Sequence, residues 1–254
     1  MKFPLRLTLD LWRGRFSQPV AKGGTIFHLP AALLPALHEN GAQGAFDGKG
    51  PTAAESVRAA AHSQAPVLWI GGSEPLDHAE VGRVAFALNA KGRNVFVHTD
   101  GQRLRQRIHE FRPESRLFLT VELVGREEVH DRAVRRPGAF RRVIEGIRAA
   151  KLSGFYVCAH VTVTKGTDPC ETGETFEYLD RYDVDGIVVS SGGRRAIPAD
   201  TELCEKLDEV RTLLRCSRWE NFSKLLENSY ALRRVWESAV RVTGEEQETV
   251  EEAV

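Results

Sequence analysis

Five polar residues stand where short apolar runs give out: His98 and Asp100, Glu122, His160, and Ser190. Imidazole and carboxylate together can pass protons or ligate a metal, and His98, Glu122 and His160 have the residue types of a two-histidine, one-carboxylate site. The same groups suit a hydrogen-bonded small-molecule pocket. That is the expectation adopted, with no resident metal and no assigned catalytic residue. Two glycine-bearing turns add backbone donors. In Gly71-Gly72-Ser73-Glu74-Pro75, the candidate cofactor-binding residues are Gly72, Ser73 and Glu74; in Ser190-Ser191-Gly192-Gly193 they are Ser190 and Gly192, where amides can cradle an anion or a ribosyl group. An ordinary strand-to-helix turn accounts for either tract equally well. There is no GxSxG elbow and no GxxxxGK phosphate loop, so the simplest hydrolase and nucleotide-hydrolase readings fall away.

The elements that must position these residues alternate in type. Pro30 to Leu34, Val67 to Ile70, Asn94 to His98, Arg116 to Leu123, Phe155 to Val163 and Gly186 to Ser190 read as strands. Between them Ala53 to His62, His78 to Lys91, Gln102 to Glu110, Ala139 to Lys151 and Cys170 to Tyr182 carry apolar residues at helical spacing. Thr52 with Glu55, Asp77 with Glu80, and Asp168 with Glu171 have capping-box spacing, and Pro169 sits at a favoured first helical position. Repeated units of this kind build a mostly parallel sheet covered by helices. Period-two alternation then places Thr120 with Glu122 on one face, and His160 with Thr162 and Thr164. Leu5 to Val20 reads as an amphipathic helix, and 201–218 and 219–240 as two C-terminal helices.

Pro66 to Leu76 resembles the strand and glycine-glycine-glutamate-proline turn of radical S-adenosylmethionine (SAM) proteins. His98-Thr99-Asp100-Gly101 is similar to that family's threonine-asparagine-glycine turn. Leu123-Val124-Gly125 with His130-Asp131-Arg132, Gly154 to Lys165, and Val184 to Gly192 extend the likeness over roughly Phe3 to Pro198. Within the family, the hopanoid-associated radical SAM proteins that resemble adenosyl-hopene transferase share the basic N-terminal arm and a segment like Lys165-Gly166-Thr167-Asp168-Pro169. The resemblance implies a partial (βα)6 TIM-like barrel, an α/β fold, with C-terminal helices. It divides the chain into an N-terminal arm (1–26), a degenerate radical-SAM-like core (27–198), a helical extension (199–242) and an acidic tail (243–254).

The same resemblance places three cluster-binding cysteines, spaced CxxxCxxC, in the first βα loop, where Glu39, Gln43 and Phe46 stand. Thiolates are soft anionic ligands suited to an iron–sulfur core, and glutamate, glutamine and phenylalanine are not. Ser73 also replaces the second of the paired glycines that let backbone approach the methionyl amine of SAM. The expectation is a radical-SAM-like pseudoenzyme, serving as a small-molecule-binding or regulatory protein without a 4Fe-4S cluster. SAM or a nucleoside is the ligand type the scaffold suggests. Two alternatives stay open: a radical SAM enzyme such as an adenosyl transferase acting on a polyprenoid or hopanoid-like lipid, and a cluster-free enzyme using the same cavity.

Of 254 residues, 35 are Lys or Arg and 35 Asp or Glu, so formal charge is zero and bulk attraction to nucleic acid is not expected. Local arginine groups (Arg103, Arg105 and Arg107; Arg132, Arg135, Arg136, Arg141, Arg142 and Arg148) are candidate contacts for an acidic partner, a phosphate or an anionic membrane surface. A protein partner or a second copy of the chain remains an expectation of the pseudoenzyme reading. The four cysteines, Cys158, Cys170, Cys204 and Cys216, are separated by 11, 33 and 11 residues, which excludes a CxxC redox or zinc pair. Charges and prolines interrupt the N-terminal apolar residues, so neither a signal peptide nor a membrane span is expected, and the cytoplasm is the expected compartment.

Overall fold

In the computed structural model the described residues are 7–10, 26–30, 67–71, 74–191 and 201–228. Six strands, β1 (Ile26–Pro30), β2 (Val67–Gly71), β3 (Asn94–Thr99), β4 (Leu117–Leu123), β5 (Tyr156–Val163) and β6 (Gly186–Ser191), lie side by side in chain order. Every neighbouring pair is parallel. The helices are α1 (Val81–Ala90), α2 (Leu104–Arg107), α3 (Glu127–Ala133), α4 (Ala139–Leu152), α5 (Pro169–Asp180), α6 (Thr201–Arg215) and α7 (Glu220–Asn228). Among the described residues β6 does not pair back to β1, so the sheet is an unclosed, partial barrel.

Both faces of the sheet are buried, but against different things. Val95, Val97, Leu119, Val121, Val157, Ala159, Ile187 and Val189 point outward and pack on Val84 and Leu88 of α1, Val143 and Ile147 of α4, Phe176 of α5, and Leu207 and Val210 of α6. The inward residues at the N-terminal half of the strands form a second cluster, Val67, Trp69, Phe96, Phe118, Cys158 and Val188, closed from below by Leu7 and by Phe222 of α7. Trp69, Phe96, Phe118 and Tyr156 are register partners across four strands, and their rings stack at centroid separations of 5.6, 4.4 and 5.5 Å. This aromatic floor fixes how deep any opening at the C-terminal ends of the strands can reach.

Two local readings of the sequence are corrected. The first strand runs Ile26–Pro30, earlier than the Pro30 to Leu34 reading, of which residues 31–34 lie outside the described residues. Ile26, Phe27 and Leu29 favour extended backbone. Asp77 does not cap a helix from His78. It belongs to the 3-10 turn Pro75–Asp77, and α1 starts only at Val81, with Glu80 making no side-chain cap bond. The Thr52 and Glu55 pair lies outside the described residues. Asp168 does cap α5, accepting from the Cys170 N–H at 2.8 Å with Pro169 behind it. Asp168→Ala is therefore expected to lower stability by about 1 kcal/mol. A urea midpoint unchanged from the native chain would show that the cap contributes nothing.

Candidate functional site

Above the aromatic floor the inward face turns polar. Moving two residues along each strand replaces Phe96 by His98, Phe118 by Thr120 and Cys158 by His160, and on β6 replaces Val188 by Ser190. Strand pairing aligns His98 with Thr120, Glu122 with His160, and Thr162 with Ser190. The side chains make a continuous chain. His98 Nε2 lies 2.8 Å from His160 Nδ1, and His160 Nε2 lies 2.7 Å from Ser190 Oγ. His160 is fully buried and Ser190 nearly so. Burial holds His98 well below the usual imidazole range, at about 4, with Asp100 opposing the shift weakly. His160 is lowered further by burial and by the neighbouring His98. Both rings are therefore neutral at pH 7, and each shared proton can sit on either side of its bond.

The two imidazoles share a hydrogen bond, and Glu122 accepts from Thr162 Oγ1 at 3.2 Å. Among the described residues no group of three or more His, Cys, Asp or Glu is placed to hold a metal ion. Of the residues expected to border one opening, His98, His160 and Ser190 are joined directly, and Glu122 sits beside His160 in the register. Ser73, with Gly72 and Gly192, lies outside the described residues.

Glu74 joins two turns at the strand ends. Its Oε1 accepts from the Leu76 N–H at 2.9 Å and from Thr99 Oγ1 at 2.6 Å, and its Oε2 from the Asp100 N–H at 2.7 Å. The carboxylate thus ties the turn after β2 to the turn after β3. Burial, with Asp100 adding like-charge repulsion, pushes its pKa up to about 7, and the three donated bonds pull the other way. Thr99 Oγ1 in turn accepts from the Gly101 N–H at 3.0 Å. Gly101 has a φ of 74°, and a Cβ there would lie 2.6 Å from Val121 Cγ1, which explains a glycine at that turn.

Beyond Asp100 a cavity of about 340 Å³ opens between the ends of β3 and β4 and helix α3, lined by Asp100, Glu122, Val124, His130, Val134 and Arg136 among others. Helix α3 is the element that sequence patterning missed. Its seven residues are too few to show a period, and the residue that anchors it acts on another helix. Asp131 accepts from the Gly138 N–H and, at 2.8 Å, from the Phe140 N–H, so it caps α4 across seven and nine residues and is itself held below the usual carboxylate range by those bonds. His130 is correspondingly turned inward and buried against Phe140. The His130-Asp131-Arg132 stretch thus supplies a cap and a buried ring.

Four of the nine arginines of the two sequence groups, Arg103, Arg105, Arg107 and Arg141, pair with carboxylates within the fold, while Arg132, Arg135, Arg136 and Arg148 are exposed. Arg107 is buried and bonds the Leu76 and His78 carbonyls and Glu110. Arg103 pairs with Asp77, Arg105 and Arg141 share Glu145, and Arg142 donates to Gln102. Arg135 and Arg136 stay exposed beside the cavity.

Half of the chain, residues 52–179, matches the profile of the Radical SAM superfamily. The chain belongs to the radical SAM superfamily. No curated protein matches it. Among solved structures it is similar to SuiB of Streptococcus suis bound to S-adenosylmethionine, at 14% identity and a TM-score of 0.48, over 60% of this chain and 37% of that one. Archaeal TYW1 matches at 16% identity and a TM-score of 0.45, over 59% and 49% of the two chains. The HMG-CoA lyase of Brucella melitensis matches at 12% identity and 0.48, over 76% and 69%. The chain thus spans well under two thirds of the length of the first of these.

Radical SAM proteins usually bind SAM and an iron–sulfur cluster, and the thiols of this member can be tested against that requirement. Cys158 is fully buried in the aromatic-lined interior, and burial pushes its thiol well above the ordinary range. Cys170 lies in α5, Cys204 in α6 and Cys216 just after it, all in the outer helical layer. None lies among the polar residues at the strand ends. The positions that the sequence resemblance assigns to the cluster ligands, Glu39, Gln43 and Phe46, lie outside the described residues and carry no thiol. The donor set does not fit a three-thiolate cluster. No helix among the described residues is long and apolar enough to cross a membrane.

Proposed function

We propose that this radical SAM superfamily member is a pseudoenzyme: a small-molecule-binding or regulatory protein, located in the cytoplasm, that keeps the barrel without iron–sulfur chemistry. The observation that carries the reading is the placement of the thiols. With one thiol sealed in the apolar interior and the rest in the helical layer, the chain offers nucleophiles and hydrogen-bonding groups at the strand ends but no soft ligands. The neighbouring cavity gives a ligand a place to sit, and the exposed arginines beside it give a protein partner or a second copy a surface to meet. Anaerobic reconstitution with iron and sulfide is expected to leave far less than the roughly four irons per chain of a complete cluster. Stoichiometric iron with cluster absorption, or 5′-deoxyadenosine formed from SAM above a no-protein control, would overturn the reading in favour of a radical SAM enzyme, such as an adenosyl transferase acting on a hopanoid-like lipid.

The Ser190, His160 and His98 chain favours a second reading, cluster-free chemistry. It has the order nucleophile, base, orienting group, with a neutral imidazole where many hydrolases place a carboxylate. In that reading the Ser190 hydroxyl proton passes to His160 Nε2 as Oγ attacks an electrophile. A fluorophosphonate reagent that modifies Ser190 in the native chain, and not in His160→Gln, would support it. No modification of Ser190 would retire it.

A further inference from the structure

Charges left unpaired by the fold are sorted by sign between two parts of the helical layer. Arg132, Arg135, Arg136 and Arg148, on α3, the turn after it and α4, are exposed and make no side-chain hydrogen bond or ion pair among the described residues. Glu171 and Glu177 of α5, and Glu205 and Glu209 of α6, are exposed and equally unpaired among the described residues. Glu127 and Glu128 are exposed as well, but they lie in the first turn of α3, at the other end of that helix from Arg132. Formal charge sums to zero, so no net repulsion keeps two copies apart.

Each charged face also carries an apolar feature. On the basic side Val134 is 43% exposed, with Arg132 before it and Arg135 and Arg136 after it. The turn that presents it is tight: the Arg135 N–H donates to the Arg132 carbonyl, the Arg136 N–H donates to the Asp131 carbonyl, and Arg135 has a φ of 54°. Glycine suits that position better than arginine, so the cation at the tip is held at the expense of backbone strain. On the acidic side a cavity of about 340 Å³ opens between α5 and the end of α6, lined by Gly173, Phe176, Glu177, Leu213, Cys216 and Trp219 among others. Phe176 and Trp219 meet edge to face and are buried, while Leu213 is 40% exposed. Arg218 in the same wall is neutralised by Asp180 and Asp183, which leaves Glu177 as an unpaired carboxylate in the lining.

We propose that two copies of this chain associate head to tail, Val134 of one copy entering the α5–α6 cavity of the next while Arg132, Arg135 and Arg136 meet Glu177 and the neighbouring carboxylates of α5 and α6. The proposal rests on the partner-binding part of the reading above and names the partner. An apolar tip ringed by cations matches an apolar cavity edged by carboxylates, in both shape class and sign. Because the two surfaces differ, the contact is heterologous, and repeated copies close into a ring or continue as a chain.

Sedimentation velocity on the chain at about 0.05 M and about 0.5 M salt reads the association. A sedimentation coefficient that rises with protein concentration at low salt, and no longer does so at high salt, is the expected result. Val134→Asp sets a carboxylate against Glu177, and Leu213→Gln makes the cavity wall polar; each is expected to weaken association at least about tenfold. Both positions are exposed, so the fold should be retained. Arg135→Gly separates binding from stability, since it should weaken association while raising the melting temperature. Mixed in equal amounts, the Val134→Asp and Leu213→Gln variants should form a pair that grows no further, because one keeps the cavity and the other keeps the tip. Cys216 is exposed and lines the cavity, so its alkylation by N-ethylmaleimide should slow as protein concentration rises, and should not do so in Val134→Asp. A monomer at every concentration in low salt would overturn the proposal, as would association indifferent to both substitutions or failure of the mixed variants to pair. Self-association that leaves Cys216 equally reactive at all concentrations would place the contact elsewhere and overturn it too. If a substituted chain loses its native circular dichroism, Arg135→Gly and the Cys216 measurement decide. None of these outcomes bears on cluster chemistry, which the iron and SAM measurements test by themselves.

Discussion

Gly186→Ala is expected to destabilise the protein by about 3 kcal/mol, the sum of overpacking and partial expulsion of a buried ring. Gly186 opens β6, and a Cβ built there would lie 2.4, 2.5 and 2.6 Å from Cε1, Cδ1 and Cζ of Phe222. The ring is 1% exposed and shares its cluster with Leu7, Val67, Trp69, Phe96, Phe118, Cys158 and Val188, so it has little free space into which to retreat. For a chain of this size the loss corresponds to a fall in melting temperature of roughly 6–12 °C. Phe222→Ala removes the obstacle at its own cost, and on that background Gly186→Ala should be close to neutral, because the two positions are in contact and their effects couple. Additive losses in the double variant would show that the glycine serves something other than the aromatic plug.

Five of the strands are legible to within a residue, because a parallel strand buried on both faces reads as a nearly continuous apolar run, unbroken in Val67–Gly71 and interrupted only by Thr120 and Glu122 in Leu117–Leu123. The first strand begins at Ile26, four residues before the apolar run chosen for it, because Ile26, Phe27 and Leu29 are as apolar as Leu33 and Leu34 and composition does not choose between the two runs. The site was half legible for a related reason. Period two put Glu122 and His160 at the right ends of their strands, but alternation assigns a face and not a distance. The contact between Ser190 and His160 spans 30 residues and depends on the register of β5 with β6. Glu74 is legible as part of its own turn, but its partners Thr99 and Asp100 lie a strand away and only the fold brings them to it.

Replacing His98 by glutamine is expected to reverse part of the pH dependence of stability. The folded chain holds His98 neutral down to about pH 4, whereas the unfolded chain protonates it near 6.5. Between those values the unfolded state binds more protons, so the contribution of His98 is complete above pH 6.5 and is lost as the pH falls toward 4. A displacement of this size corresponds to about 3 kcal/mol, reduced somewhat by the partial exposure of the ring. His160 and His130, also lowered, act in the same direction. Glu74 acts in the other. Its pKa of about 7 means that the folded state keeps a proton which the unfolded state has released above about 4.5, so acidification from 7 to 4.5 strengthens the fold at that residue. The native chain therefore shows a shallow acid limb made of opposing slopes, and the His98→Gln variant isolates one of them. The glutamine amide can still reach His160, so the test changes the titration while keeping a polar partner in place. Unfolding free energies of the two proteins, measured by denaturant between pH 7 and 4.5, should converge or cross as the pH falls, by about 2 kcal/mol over that range. Parallel curves would mean that His98 takes up its proton in the barrel at the same pH as in the unfolded chain, and that burial does not hold it neutral.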